Sequence, residues 1–268
     1  MKAYLNFFKL RLITNLQYRS AALAGISTQL FFGFLYIMLY LALYESNPGV
    51  NSPMDWNNLI SYLWLQQAFF AMTFPFIKDN ELISMIQNGN LAYELVRPQN
   101  FYLKFYIKML AERIISTLLR CIPIIIIGLL LPYPYKLYLP PTLGNFLMFG
   151  ISLIFSCLLV TSLSLIIHII TMFTLDARGI SSAYSVIAEV FMGAVIPIPF
   201  FPLWMKKIAN VLPFRFISDF PYRIYSGNIS ILEGKTLLLR SFIWIIVSLI
   251  LGYKLSKLAL KKAVIQGG

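Results

Sequence analysis

The chain has 268 residues, of which 59% are hydrophobic and 12% are charged, and its formal net charge is +12. Soluble domains carry about 25% charged residues, so this composition excludes a soluble protein and indicates an integral membrane protein. The positive charge favours anionic lipid headgroups over nucleic acid as partners. The two cysteines, Cys121 and Cys157, are far apart, and their spacing indicates neither a disulfide framework nor a metal site.

The first predicted element is a helix over residues 1–19. Leu5, Phe8, Leu12 and Leu16 recur there at helical spacing. A helix with such a stripe and basic residues beside it is typical of a segment that lies in the membrane interface. We therefore expect an interfacial helix on the cytoplasmic side.

Six apolar segments follow, each long enough to cross a bilayer as a helix. Two of them carry an internal charge, Arg120 in the third and Glu189 in the fifth. Their predicted limits are 20–44, 56–77, 107–131, 143–175, 180–197 and 237–253. The pattern predicts an all-α integral membrane protein with one transmembrane domain over residues 1–268.

Lysine and arginine are distributed unequally between the two sides of this arrangement. The N-terminal stretch, the segment after the second span, the turn after the fourth and the C-terminal stretch hold 14 of them. The loop after the first span has none, and the loop after the third has only Lys136. Because cytoplasmic loops are enriched in lysine and arginine, both termini are predicted to be cytoplasmic.

Residues 78–106 form a polar segment between the second and third spans, on the predicted cytoplasmic side. Leu82, Ile83 and Ile86 have helical spacing, and a strong helix breaker follows at residues 88–90. Such a short helix suits insertion into a groove on a partner, and an interfacial helix lying on lipid is the alternative. Further on, Lys108 and Glu112 have the spacing of an ion pair.

Residues 198–226, after the fifth span, are interrupted by prolines. The apolar pieces at 203–211 and 214–225 are too short to cross, so a re-entrant element on the outer side is predicted. This region departs from the charge rule with six basic residues, Lys206, Lys207, Arg215, Arg223, Lys235 and Arg240. For the first three of these, contact with lipid headgroups is the expectation, and steering of an anionic substrate or lipid is the alternative.

The sequence contains no pattern of catalytic or metal-ligating residues. Gly234-Lys235-Thr236 lacks the upstream glycine of a phosphate-binding loop, so no cofactor is expected in this chain. His168, Arg120 and Glu189 are the polar candidates inside spans. His168 is either a packed, hydrogen-bonded histidine or a proton relay, and Glu189 either pairs with Arg120 or lines a substrate path.

Three stretches resemble the permeases of bacterial ATP-binding-cassette (ABC) transporters of the type 2 exporter class. The first is residues 89–98, which contain Gly-Asn-Leu and end in Arg-Pro. The other two are the proline-rich residues 198–227 and the terminal Gln266-Gly267-Gly268. The resemblance implies that residues 78–106 couple to an ATPase through Gly89, Asn90, Leu91, Glu94, Leu95, Arg97 and Pro98. It also implies an outer gate at Pro199, Phe201, Pro202, Trp204, Pro213, Phe214, Pro221 and Gly227.

The resemblance further implies an export subunit of the bacterial plasma membrane that has no ATPase site of its own. ATP and Mg would be bound by partner ATPase subunits, and a second permease, a related but different chain or a second copy, would complete the complex. A drug, a peptide or a lipid-like molecule is the implied substrate class. Two other functions stay open from the residues: a membrane-embedded lipid-modifying enzyme that uses His168 or Glu189, and a membrane scaffold or immunity protein.

Overall fold

The computed structural model describes residues 2–15, 19–46, 52–87, 99–174 and 178–262. Within these ranges the chain forms helices and turns and no strand, as the all-α prediction requires. In chain order the helices are α1 (Lys2–Asn15), α2 (Arg19–Ser46), α3 (Trp56–Ala68), α4 (Phe70–Thr73), α5 (Asn80–Gln87), α6 (Phe101–Leu130), α7 (Leu143–Thr174), α8 (Arg178–Phe191), α9 (Leu203–Val211), α10 (Asp219–Ser226) and α11 (Ile231–Lys262).

Four of the described helices are long and apolar enough to cross a membrane, by length and composition. They are α2, α6, α7 and α11, which correspond to the predicted first, third, fourth and sixth spans. Helix α6 begins about two turns before the predicted third span, and α11 continues about two turns beyond the predicted sixth span. Both extensions are at the end of the bundle where α1 lies. Helical hydrogen bonding therefore continues into the charged flanks of these two spans.

The predicted second span, residues 56–77, is not one continuous helix. Helix α3 ends at Ala68, since Phe69 leaves the helical conformation, and α4 adds a single turn before the chain becomes extended. Pro75 explains the second interruption, because the residue before a proline is disfavoured in a helix. The prediction of an unbroken span is therefore wrong at this position.

The predicted fifth span, residues 180–197, is also shorter than expected as a helix. Helix α8 ends at Phe191, and Gly193 then adopts a left-handed conformation with φ of +79°. The Gly193 carbonyl accepts a hydrogen bond of 2.9 Å from the Tyr62 hydroxyl. This turn redirects the chain toward the short helices that follow.

The main apolar core surrounds α3, all of whose residues from Leu59 to Ala68 are buried. Trp64 lies at its centre and donates through Nε1 to the Tyr135 carbonyl at 2.7 Å. Helix α7 is the most buried of the four apolar helices. Helices α2, α6 and α10 contact α3, and helices α6, α10 and α11 contact α7.

The bundle has two ends, which we name the α1 end and the α9 end. At the α1 end, Leu82 of α5, Phe105 of α6, Ile169 of α7 and Ala259 of α11 share one buried cluster. The α9 end holds α9, α10 and the beginnings of α7 and α11. Helix α9 has the bounds predicted from the prolines, since Pro202 precedes its first residue.

Candidate functional site

Asp79 organises the beginning of α5 at the α1 end. Its Oδ1 accepts a hydrogen bond of 3.0 Å from the Leu82 backbone N–H, which is the geometry of a helix N-cap. Its own N–H donates to His168 Nε2 at 3.1 Å. His168 therefore carries its proton on Nδ1, which donates to the Ser164 carbonyl at 2.8 Å. His168 is thus buried and hydrogen-bonded through both ring nitrogens, and the Phe76 ring is stacked on it.

Lys108 joins two carboxylates at the same place. Its Nζ lies 2.8 Å from the Asp79 carboxylate and 2.6 Å from Glu81 Oε2, and Arg11 lies 3.1 Å from the same Glu81 oxygen. The side chains of Lys108 and Asp79 are almost completely buried. Two positive and two negative charges thus connect α1, α5 and α6. The predicted pairing of Lys108 with Glu112 is wrong, because a partner distant in sequence replaces the neighbour on the helix.

The pKa of the Glu81 carboxyl reflects this network. Burial acts to raise it, but the hydrogen bond and charge of Lys108, together with Arg11, lower the pKa below its ordinary value of 4.5. Glu81 therefore carries its negative charge at neutral pH. The network is electrically balanced under those conditions.

Arg113 donates hydrogen bonds to the backbone carbonyls at the break in the second span. Its side chain is fully buried and donates to the carbonyls of Met72 and Phe74 at 2.7 Å and to that of Pro75 at 3.4 Å. These carbonyls lack helical partners because α4 ends here. A guanidinium supplies several N–H donors in a fixed geometry, which lets one side chain satisfy the whole turn.

The predicted coupling residues Gly89, Asn90, Leu91, Glu94, Leu95, Arg97 and Pro98 lie outside the described residues. The structure describes what holds the segment on each side. It begins after α5, which the Asp79 and Lys108 contacts fix. It ends at Asn100, whose side chain caps α6 by accepting from the Leu103 N–H at 3.1 Å. The Asn100 N–H donates to the Tyr4 hydroxyl of α1 at 3.0 Å.

Arg120 and Glu189 are not brought together. No ion pair joins them in the described part of the chain, so the structure does not show the pairing that was one of the two alternatives for Glu189. Arg120 packs against Gly25 of α2, and its buried Nε has no acceptor among the described residues. Glu189 instead lines a cavity of about 240 Å³ between α2, α3 and α8, where Gln29 and Gln67 are also exposed to the cavity.

The predicted gate residues lie together at the α9 end in a series of short elements. Pro199 and Phe201 are buried, whereas Trp204 on α9 is 62% exposed. Phe214 packs its ring against Tyr184 of α8 at 6.0 Å between centroids. The others mark boundaries: Pro202 precedes α9, Pro213 begins a 3₁₀ turn, Pro221 lies in the first turn of α10, and Gly227 ends α10 with φ of +81°.

A family model described as ABC-2 family transporter protein matches residues 30–267, which is nearly the whole chain. The chain belongs to the ABC-2 transporter family. No curated protein and no solved structure matches it. The family makes the protein a membrane permease of an ABC transporter, and ABC ATPases are the partners that such a permease has. The resemblance drawn from the Arg-Pro segment and the proline-rich segment is thereby confirmed at the level of the family.

Three residues that shape the ABC-2 permease were not singled out by sequence reasoning. They are Asp79, Arg113 and Asp219, none of which enters the sequence-based predictions by itself. A signal for Arg113 exists in the sequence, since a basic residue inside an apolar helix and a proline in the preceding segment, Pro75, both call for a polar partner. The pairing of Asp79 with Lys108 joins residues 29 apart, and no local spacing predicts it.

Proposed function

We propose that this ABC-2 permease is the membrane subunit of an ATP-driven exporter in a bacterial plasma membrane. Residues 78–106 dock on a partner ATPase, which binds ATP and Mg and drives outward movement of a substrate. The observation that carries the proposal is the rigid frame around residues 88–98. Buried charges fix α5 on one side, and the contact between Asn100 and Tyr4 fixes α6 on the other.

The frame supports docking because a coupling segment has to transmit displacement. A segment on a loose tether would yield when the ATPase moves, whereas α5 is joined to α6, α7 and α1 by polar contacts. The apolar side of α5 is already covered, since Leu82, Ile83 and Ile86 are buried. This burial favours a frame for residues 88–98 over an α5 that itself inserts into the partner.

The proposed topology has six crossings with both termini in the cytoplasm. The four long helices supply four crossings, α3 with α4 and its extended continuation supplies the second, and α8 with the turn after it supplies the fifth. Helices α9 and α10 have 9 and 8 residues, about 13 Å each, against a hydrocarbon thickness of about 30 Å. They therefore form a re-entrant outer element that gates release.

The active complex contains two permease chains in this proposal. Each chain has one docking segment, whereas paired ATP sites require two. A related but different permease is the proposed partner, and a second copy of this chain is the alternative outcome. Native mass spectrometry of the purified complex distinguishes the two by subunit mass.

Cross-linking tests the docking proposal. Single cysteines are placed at Leu91 and, as a control at the α9 end, at Lys207, in a background that lacks Cys121 and Cys157. The permease is co-expressed with a candidate ABC ATPase from the same organism. We expect Leu91 to cross-link to the ATPase and Lys207 not to. A cross-link from Lys207 alone would reverse the orientation, and the absence of any cross-link from residues 88–98 would contradict docking there.

Charge reversal and labelling extend the test. Glu94→Lys and Arg97→Glu should uncouple ATP hydrolysis from transport while membrane insertion stays intact. An impermeant thiol reagent should label cysteines at Lys207 and Gly227 from outside the cell. If one of them reacts only from the cytoplasm, the segment crosses the membrane and the six-crossing topology fails.

A further inference from the structure

Four of the six basic residues that depart from the charge rule line one cavity of about 630 Å³ at the α9 end. Lys206 comes from α9, Arg215 from the 3₁₀ turn, Arg223 from α10 and Arg240 from α11. Four separate elements thus direct cationic side chains to one space. Its lining contains one acidic residue, Glu233.

The positive charge of this cavity is only partly neutralised from behind. Asp219 is completely buried, and its Oδ2 lies 3.3 Å from Arg223 Nη1 and 3.9 Å from Arg215 Nη2. One carboxylate is therefore shared by two guanidinium groups. Counting Asp219 and Glu233 against the four cations leaves a net charge of +2 on the lining and the wall behind it.

One N–H donor of the Arg215 guanidinium has no acceptor among the described residues. Only 5% of the residue is exposed, and one of its terminal nitrogens donates to Asn210 Oδ1. Its buried Nε has no hydrogen-bond partner among the described residues. A buried N–H group without an acceptor is costly, especially on a charged group. The Arg215 side chain lines the cavity, so an anion bound there would place a negative charge beside this guanidinium.

We propose that this cavity binds a phosphate group, carried either by a lipid headgroup or by a water-soluble phosphate compound. Guanidinium groups match phosphate oxygens with paired N–H donors, and cationic side chains from four separate elements line this cavity. A net charge of +2 exceeds what one carboxylate would neutralise. The volume lies within the range of small-molecule sites, about 300–1,000 Å³. The site requires neither the ATPase nor the proposed orientation, so it goes beyond the proposed function.

The convergence of these basic residues on one cavity is not explained by side chains that extend outward to contact lipid headgroups. The expectation that Arg215 reaches the lipid surface is wrong, because the residue is buried beside Asp219. Lys207 and Lys235 fit that description better, since both are exposed and neither lines the cavity. These two lysines provide a matched control with the same change of charge.

Equilibrium binding to the full-length permease in a maltoside detergent, which contains no phosphate, tests the site. The probes are inorganic pyrophosphate, a short-chain phosphatidylglycerol and, as a carboxylate control, hexanoate. The variants are Lys206→Gln/Arg240→Gln and the control Lys207→Gln/Lys235→Gln. At least one phosphate probe should bind the unmodified chain and the control alike. Affinity should fall at least about tenfold in the cavity variant, which loses two charge-assisted contacts.

The probes distinguish the two sources. Binding of pyrophosphate supports a water-soluble phosphate compound, and binding of phosphatidylglycerol alone supports a lipid headgroup. Equal weakening in both double variants, tighter binding of hexanoate than of either phosphate probe, or no binding of any probe would overturn the proposal. Because Arg240 is exposed, Arg240→Gln alone serves if the double variant does not fold, and it should still weaken binding severalfold.

Discussion

Both ends of the bundle contain a buried carboxylate at the start of a short helix, but the charges around them differ. At the α1 end, Asp79 and Glu81 meet Lys108 and Arg11, and the four charges cancel. At the α9 end, Asp219 faces two arginines. Lys206 and Arg240 add positive charge there, and only Glu233 opposes it.

The difference separates two uses of buried charge. A balanced network satisfies itself and fixes the positions of the helices that contribute to it. A network with surplus positive charge leaves room for an anion from outside the chain. In the functions proposed above, the α1 end is a rigid frame for docking and the α9 end is a binding surface.

Removing the central cation is the strongest way to break the α1 network. Lys108→Met should lower the free energy of unfolding by about 3–5 kcal/mol, because the buried Asp79 loses its counter-charge. Chemical unfolding in detergent, followed by the near-ultraviolet signal, measures this. The double variant Asp79→Asn/Lys108→Met should recover part of the loss. A double variant no more stable than Lys108→Met would show that the ion pair is not what Lys108 contributes.

Arg113→Met tests whether the same end depends on the closure of the broken span. Two short hydrogen bonds from a charged donor are lost, which should cost about 3 kcal/mol. Arg120→Met is the matched control on the same helix, because Arg120 has an unpartnered Nε, and its effect should be much smaller. Equal effects of the two substitutions would exclude the closure as the cause.

Gly193→Ala probes the turn that leads to the α9 end. A Cβ there would lie 2.6 Å from the Tyr62 hydroxyl oxygen, and the left-handed conformation costs about 1–2 kcal/mol for an L-residue. We expect a loss of about 2 kcal/mol in the unfolding free energy. Gly150→Ala, where no atom lies within 4 Å of the added Cβ, should be neutral or stabilising. A neutral Gly193→Ala would mean that the turn adopts another conformation.

The pH dependence of stability is the smallest expected effect. The pKa of Glu81 is lowered on folding, so its contribution is present above pH 4.5 and is lost as pH falls through the folded-state pKa. Because its side chain is 38% exposed, the contribution should be less than about 1 kcal/mol. Unfolding measured from pH 6 to pH 3 should show a shallower decline for Glu81→Gln. An unchanged decline for Glu81→Gln would show that its ion pairs with Lys108 and Arg11 do not stabilise the fold.

Sequence reasoning succeeded where local chemistry decides the structure. The limits of α9 follow from the prolines beside it, and the four long helices follow from continuous apolar runs. It failed where contacts between segments far apart in the sequence decide the structure. Lys108 takes Asp79 in place of Glu112, and Arg113 satisfies carbonyls 38 to 41 positions earlier in the chain.

The candidate site was predictable to a lesser extent than the fold. The sequence identified the excess of basic residues after α8, but not that four of them converge, since they lie on four elements whose packing no local pattern encodes. The short fifth helix has a local cause, because Gly193 adopts a left-handed conformation two residues after α8 ends.

Helix α7 makes hydrogen bonds at both ends of the bundle. Near its beginning, Asn145 Nδ2 donates to the Ile224 carbonyl of α10 at 2.8 Å, and near its end His168 accepts from Asp79 beside α5. These contacts lie 23 residues apart on one continuous helix, about 35 Å along its axis. A displacement of α5 that preserves the His168 hydrogen bond would also move α7, and α7 would move α10 through the Asn145 hydrogen bond. The cationic cavity, to which α10 contributes Arg223, would then change shape in step with an event at the opposite end.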